Sequence, residues 1–346
     1  MRQRKSSDRW RRLAASLGTA AVLACAGSPS PLEPRGRGAD DLAGLGWLSI
    51  VAGTAVFAVS VALLVWAAVV RGRRADRRGT FAEHGPVTAS DGQGWILWGG
   101  LLVPAAILAL LFAATLGVLR AFPHARGERA VQVHVIARQW WWDVRYQGAT
   151  PSENVATANE IHIPVGEPVQ IMLSTADVIH SFWVPQLNGK MDVIPGRRTM
   201  IQLHAASAGR YRGECSEFCG LQHAHMAFTV VAEPRDRFDA WLARERAPAS
   251  EPPDSLRRGR DVFLASACVF CHTVRGTSAA GATAPDLTHI GSRLTIAAGT
   301  RPNTPGHLAA WIAGAQSIKP GSRMPSFTQY DPETLRKLAG YLASLR

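Results

Sequence analysis

The sequence predicts a multi-domain membrane protein: a transmembrane α-hairpin, then a β-sandwich, then an all-α domain. Three observations predict it. Residues 42–70 and 95–119 are long apolar runs without a single charge. From residue 131 the apolar residues alternate with polar ones in short runs broken by Pro, Gly and Asn, the period of half-buried strands. Beyond residue 254 the pattern changes to capped segments of helical length.

The first 12 residues carry six Arg and Lys against Asp8, and residues 13–24 are apolar. Together they resemble a secretory signal peptide, which stands outside the fold. The ending Val22-Leu23-Ala24-Cys25 resembles a bacterial lipoprotein cleavage box, with Val at the position where Leu is usual. On that reading residues 1–25 are the leader and Cys25 becomes a lipidated N-terminus. Ordinary cleavage after a small residue is the alternative. A Pro/Gly-rich stretch follows at 28–38.

At about 1.5 Å of rise per residue, each apolar run exceeds the roughly 30 Å hydrocarbon core of a bilayer. Residues 42–70 and 95–119 are therefore expected to span it. The loop between them, 71–94, opens with RGRRADRR, which places it in the cytoplasm by the positive-inside rule. Everything after Arg120 then faces outward. The formal charge of +12 needs no nucleic acid to explain it, because nine of those charges lie in residues 1–12 and 71–78, beside apolar runs.

Residues 121–247 contain the strand-like runs VQVHVIA, EIHIPV, PVQIMLS, TMIQLH and MAFTVVA, expected to form an antiparallel sandwich. A short helix is expected at 234–246, then a linker at 248–253. In the last domain, 254–346, helices are expected at 254–267, 305–315 and 332–345.

The five cysteines are sparse, and four form two close pairs beside His and Met, a pattern of cofactor or metal ligation more than of a disulfide framework. Cys268-Val-Phe-Cys271-His272 is the C-x-x-C-H signature of covalent c-type haem attachment. The two thiols add to the porphyrin vinyl groups and His272 becomes an axial ligand. A zinc or redox C-x-x-C is the alternative. Met324 is the one methionine beyond Met226, so it is the expected sixth ligand, and a thioether opposite His raises the potential. His289 and His307 are its rivals.

Residues 215–226 read CSEFCGLQHAHM. Cys215, Cys219, His223 and Met226, with His180 upstream at a strand end, combine thiolate, imidazole and thioether, a set that selects copper. One blue copper ion needs a single Cys, whereas two Cys allow both sulfurs to bridge two ions. A tetrahedral zinc site is the structural alternative. His225 reads as an ordinary surface histidine.

Here the sequence resembles a known family on four blocks in order: Gln139-Trp140-Trp141-Trp142, His180 to Pro185, Lys190 to Arg197, and Cys215 to Met226. These are similar to the CuA domain of cytochrome c oxidase subunit II, a cupredoxin-like fold. Residues 254–346 resemble class I cytochrome c, through Gly259-x-x-x-Phe263, Pro285-Asp-Leu and Tyr341. The whole chain thus looks like a subunit II with a fused cytochrome c.

The resemblance implies that His180, Cys215, Cys219, His223 and Met226 hold dinuclear copper, with the backbone carbonyl of Glu217. It implies that the Glu217 side chain points to a magnesium ion shared with a partner subunit, and that electrons enter at Trp140. Trp141 and Trp142 read as packing. The family commonly has a Glu at the start of the second membrane helix; residues 92–100 here have none, and only Asp91 is near.

The expected function is a serial one-electron relay from a donor through haem c to CuA and on to a catalytic haem-copper subunit I that reduces oxygen. No catalytic residue is expected in this chain. The expected partners are that subunit, further oxidase subunits, membrane lipid, and a donor such as a cytochrome c or bc-type complex. The expected place is a bacterial inner membrane, with both globular domains outside. Two other readings use the same relay: the CuA subunit of a nitric oxide reductase, and a free-standing tethered carrier.

Overall fold

The computed structural model describes residues 29–78, 90–121 and 131–346. The leader at 1–25 with Cys25, and part of the loop at 71–94, lie outside the described residues.

Helix α1 runs Arg37–Arg78, longer at both ends than the apolar run; five of the eight residues beyond Val70 are Arg, a good helix former. A short helix α2, Ser90–Trp95, leads through a π-helical turn, Ile96–Leu102, into α3, Val103–Ala121. The π turn has a local cause. Pro104 has no N–H to offer the carbonyl of Gly100, so the hydrogen-bond ladder is interrupted and widens there. The two long helices pack on each other, yet their most apolar stretches have none of their residues buried within the protein. Phe57, Leu64 and Phe112 are 70 %, 71 % and 64 % exposed. Side chains of this kind belong against lipid, and the chain is membrane-anchored.

The stretch before α1 is docked on the outer domain by backbone bonds. Arg35 N donates to Gln186 O (2.7 Å), and Ala206 N donates to Arg35 O (2.7 Å). The N-terminal end of α1 therefore lies beside the sandwich.

The sandwich comprises β1 (Val131–Arg138), β2 (Trp141–Tyr146), β3 (Val155–Ala158), β4 (Glu160–Pro164), β5 (Val169–Thr175), β6 (His180–Trp183), β7 (Met191–Val193), β8 (Thr199–Leu203), β9 (Gly209–Cys215) and β10 (Ala227–Glu233). One sheet has the order β3-β2-β1-β5-β8, the other β4-β10-β9-β6-β7. The expected all-antiparallel arrangement is corrected here. β1 pairs parallel with β5, and β4 parallel with β10, because between the members of each pair the chain crosses to the other sheet and comes back running in the same direction. Period-two alternation reports which face is buried and is blind to strand direction.

Trp142 fills the space between the sheets. It is fully buried and packs edge-on against Phe182 and Phe228, with ring centroids 5.6 and 5.3 Å away. Helix α4, Arg235–Arg246, closes one end of the sandwich with Phe238 and Trp241.

The last domain is helical, with α5 (Asp254–Leu264), α6 (Cys268–Cys271), α7 (Pro305–Ile318) and α8 (Pro332–Ser344). A two-stranded ribbon, β11 (Thr295–Ile296) and β12 (Arg301–Pro302), interrupts them. Its core includes Phe263, Leu308, Ile312, Phe327, Leu338 and Tyr341. α5 crosses α8 at Gly259, where a Cβ would lie 2.1 Å from Lys337 O. Only a residue without a side chain permits that approach.

Candidate metal centre and haem segment

The paired-cysteine cluster is assembled from three places in the chain. His180 opens β6 at the sandwich rim, Cys215 ends β9, and the 216–226 loop returns to β10 carrying Cys219, His223 and Met226. Cys215 Sγ lies 3.8 Å from Cys219 Sγ, 3.8 Å from His180 Nδ1 and 3.3 Å from Glu217 O. Cys219 Sγ lies 3.6 Å from His223 Nδ1 and 3.8 Å from Met226 Sδ. Six donors thus converge, with two sulfurs at the centre and a nitrogen on either flank. His180, Cys215, Cys219 and Met226 are buried.

Asp177 holds His180 in place. Its carboxylate accepts from His180 Nε2 at 2.8 Å and from Gln139 N at 2.7 Å. This leaves Nδ1 facing the sulfurs, the outer-shell arrangement that orients a metal-bound imidazole. Contact with Cys219 is the main reason the Cys215 thiol is held far below the usual range, burial opposing and His180 assisting. The same contact, with burial, pushes Cys219 up. A site that already favours one thiolate, and places a second sulfur beside it, suits bridging of two soft ions.

Trp140 is half-buried beside this loop and donates from Nε1 to Cys219 O at 3.0 Å. Trp141 stacks under the Arg138 guanidinium, and Trp142 Nε1 donates to Met226 O at 3.3 Å. His225 is exposed and bonded to Gln222 through Nδ1 at 2.8 Å, pointing away from the donor set as a surface histidine does.

In the helical domain, Cys268 is buried and Cys271 exposed, on the one-turn α6. His272 Nδ1 donates to Pro285 O at 2.7 Å, which leaves Nε2 available to a metal. Burial lowers the His272 pKa, with the Pro285 carbonyl opposing, so the imidazole is neutral and able to ligate. Met324 packs against the same core cluster as Cys268. Its loop is held by Gln316, whose Nε2 donates to Ser322 O and Met324 O, both at 2.7 Å, and whose Oε1 accepts from Gly321 N at 3.0 Å. Of the rival histidines, His289 Nε2 donates to Ala247 O at 3.0 Å, and His307 lies in the first turn of α7 with its Nδ1 2.8 Å from the capping Thr304 Oγ1.

The two outer domains are in direct contact. Ala227 N donates to Ala298 O at 3.1 Å, Leu294 N to Glu160 Oε2 at 2.9 Å, and Gln222 Nε2 to Pro320 O at 2.9 Å. The buried Arg293 guanidinium donates to Thr157 Oγ1 and to Asp286 O. Sequence reading missed Asp177, Gln316, Arg293 and the domain interface. For Asp177 a signal existed, a carboxylate three residues before a candidate ligand at a turn. Nothing in the sequence marks the others.

Fold and site together define a class: membrane-anchored proteins that pair a cupredoxin-like domain, bearing a two-cysteine donor cluster, with a helical domain bearing a C-x-x-C-H segment. Comparison with known proteins agrees. The family described as "Cytochrome C oxidase subunit II, periplasmic domain" matches residues 149–233, and the family "Cytochrome c" matches residues 256–346. Cytochrome c oxidase subunit 2 of Alkalihalophilus pseudofirmus is 39 % identical over 221 residues, covering 64 % of this chain and 63 % of that protein. That of Bacillus sp. PS3 is 31 % identical over 271 residues, covering 72 % and 74 %. The chain therefore spans just under two thirds of the first relative and about three quarters of the second. The crystal structure of the periplasmic domain of subunit II from Bradyrhizobium japonicum aligns at 26 % identity and TM-score 0.32, over 36 % of this chain and 96 % of that one. This chain belongs to the cytochrome c oxidase subunit 2 family.

Proposed function

We propose that the chain is the electron-transfer subunit of a haem-copper cytochrome c oxidase. It relays single electrons from a donor such as a cytochrome c or bc-type complex towards a catalytic subunit I that reduces oxygen. The membrane is a bacterial inner membrane, with both globular domains on its outer side. The observation that carries this reading is the convergence of six donors about two adjacent sulfurs, on a domain packed against the helical domain that carries the C-x-x-C-H segment.

In this reading His180, Cys215, Cys219, His223, Met226 and the Glu217 carbonyl hold dinuclear copper. Cys268 and Cys271 would attach haem c, and His272 and Met324 would ligate its iron. When bound, these two groups supply reversible one-electron chemistry. The protein's part is to hold the donors still. Asp177 fixes one copper imidazole, the Pro285 carbonyl fixes the haem imidazole, and Gln316 fixes the Met324 loop. Burial of the cluster keeps water from the sulfurs, and a rigid donor set keeps rearrangement on electron transfer small. Trp140, bonded to the Cys219 carbonyl, is where electrons pass into the copper loop. The Glu217 carboxylate makes no hydrogen bond or ion pair among the described residues and is proposed to reach a magnesium ion shared with subunit I. Fusion of the two domains replaces diffusive docking with a high effective concentration.

Metal analysis and visible spectroscopy of the full chain, matured with haem and supplied with copper, test this reading. Two coppers and one haem iron per chain, with the copper absorption abolished in Cys215→Ser and the haem unchanged, is the expected outcome. A single copper, or zinc, in the wild-type protein would refute the dinuclear assignment.

A further inference from the structure

One buried cation is unaccounted for by either metal site. Lys319 follows α7, five residues before Met324, and is only 3 % exposed. Its Nζ donates to Trp140 O and to His225 O, both at 2.7 Å, and to Ala297 O at 3.2 Å. An ammonium has three N–H bonds, and each here meets a backbone carbonyl. Among the described residues no carboxylate lies within ion-pair distance of it.

The three carbonyls belong to three separate segments. Trp140 is in the β1–β2 turn, His225 immediately precedes Met226, and Ala297 is in the β11–β12 turn of the helical domain. The first two flank the copper cluster and belong to the sandwich. Lys319 is therefore a junction between the segment leading to Met324 and the two segments that frame the cysteine loop.

Neighbouring contacts join the same surfaces. Gln222 Nε2 donates to Pro320 O at 2.9 Å. Gly321 has φ +80°, and a Cβ there would lie 3.4 Å from Leu221 Cδ2 and 3.5 Å from Trp140 Cη2. The 319–322 turn thus lies against the Trp140 ring, which in turn is bonded to Cys219 O. Gln316 ties that turn to Met324.

We propose that Lys319 is a positioning residue that clips the haem-bearing domain onto the copper loop, holding the Met324 loop against Trp140 and covering part of that ring. This rests on the relay reading above. A cation without a carboxylate is costly to bury, and burial pushes the Lys319 ammonium down to about 7. Charge-assisted bonds to three carbonyls offset that cost only in the docked arrangement. A neutral side chain of the same length would fill the space without fixing the geometry. Electron transfer weakens steeply with separation, so a loosened interface acts on the rate between the two sites while leaving each site intact.

The test uses the full chain, haem-matured and copper-loaded, as wild type, Lys319→Met and Gln222→Leu. The second variant removes a companion clip without introducing a buried unpaired group at Lys319, and it decides the matter should Lys319→Met fail to fold. Amide hydrogen exchange is read at residues 138–142 and 319–322. Haem-to-copper equilibration is followed after rapid photoreduction, and copper reduction by an added soluble reduced cytochrome c is measured beside it.

The expected result is unchanged haem and copper spectra and potentials, faster exchange at both segments, and intramolecular transfer slowed about tenfold or more. Direct reduction of copper by the added cytochrome should rise as Trp140 is uncovered. Wild-type exchange at both segments in both variants, or an unchanged transfer rate despite faster exchange, would overturn the proposal. The exchange measurement needs no copper. A chain that binds haem but no copper pair would thus refute the relay while the clip is still decided.

Discussion

Asp177 offers the sharpest test of how the copper site is held. Its Oδ1 accepts from His180 Nε2 and Val178 N, each at 2.8 Å, and its Oδ2 accepts from Gln139 N at 2.7 Å. Asp177→Asn keeps one oxygen and turns an NH2 group towards one of these donors, so either His180 or Gln139 loses its acceptor, and the negative charge disappears. Loss of a carboxylate partner to a ligating histidine lowers metal affinity about 10- to 100-fold, or about 1.4–2.7 kcal/mol. The orphaned N–H also costs about 1–3 kcal/mol of stability, so the two effects must be measured apart. Copper affinity is read by competitive titration of the full chain against a chelator, and stability by thermal melting without copper. The expected outcome is a loss of copper affinity in that range, larger still for Asp177→Ala, beyond what the metal-free melt explains. Copper binding within about threefold of wild type, with a lowered melt, would show that Asp177 serves the fold alone and that the orienting role is mistaken.

Two further predictions concern stability. Gly259→Ala gains about 1 kcal/mol of helix propensity but forces a Cβ onto the Lys337 carbonyl and Tyr341 Cβ, at 2.1 and 2.9 Å. Overpacking against backbone costs up to about 3 kcal/mol, so a net loss of about 2 kcal/mol is expected in haem-monitored denaturant unfolding. A neutral or stabilised variant would show that the crossing relaxes. For His162, burial disfavours the charged ring, but bonds to Glu160 at 3.0 Å and Glu233 at 2.7 Å outweigh it and raise the pKa. Its contribution is then fully present below the unfolded value of about 6.5 and lost as pH rises through the folded one. Melting of wild type minus His162→Gln should shrink with rising pH across that window, and a flat difference would contradict the assignment.

Much of this protein is legible in its sequence because the relevant signals are local. Uncharged runs longer than a bilayer core leave a helix few options but lipid, and the Arg cluster beside one of them orients it. C-x-x-C-H places two thiols and an imidazole within one helical turn whatever surrounds them. The spacing of Cys215, Cys219, His223 and Met226 keeps four donors within one loop. What the sequence could not decide is whatever depends on segments far apart in the chain. Strand direction in β1–β5 and β4–β10 follows from crossovers between sheets, and alternation carries no record of that. Asp177 reaches Gln139 across 38 positions, and Lys319 reaches Trp140 across 179. A lysine before a Pro-Gly turn looks like any surface lysine until two domains close over it. Residue chemistry and short spacing determined which groups could hold metal; only the packing of the domains decided how they are fixed, since carbonyl partners leave no mark on residue identity.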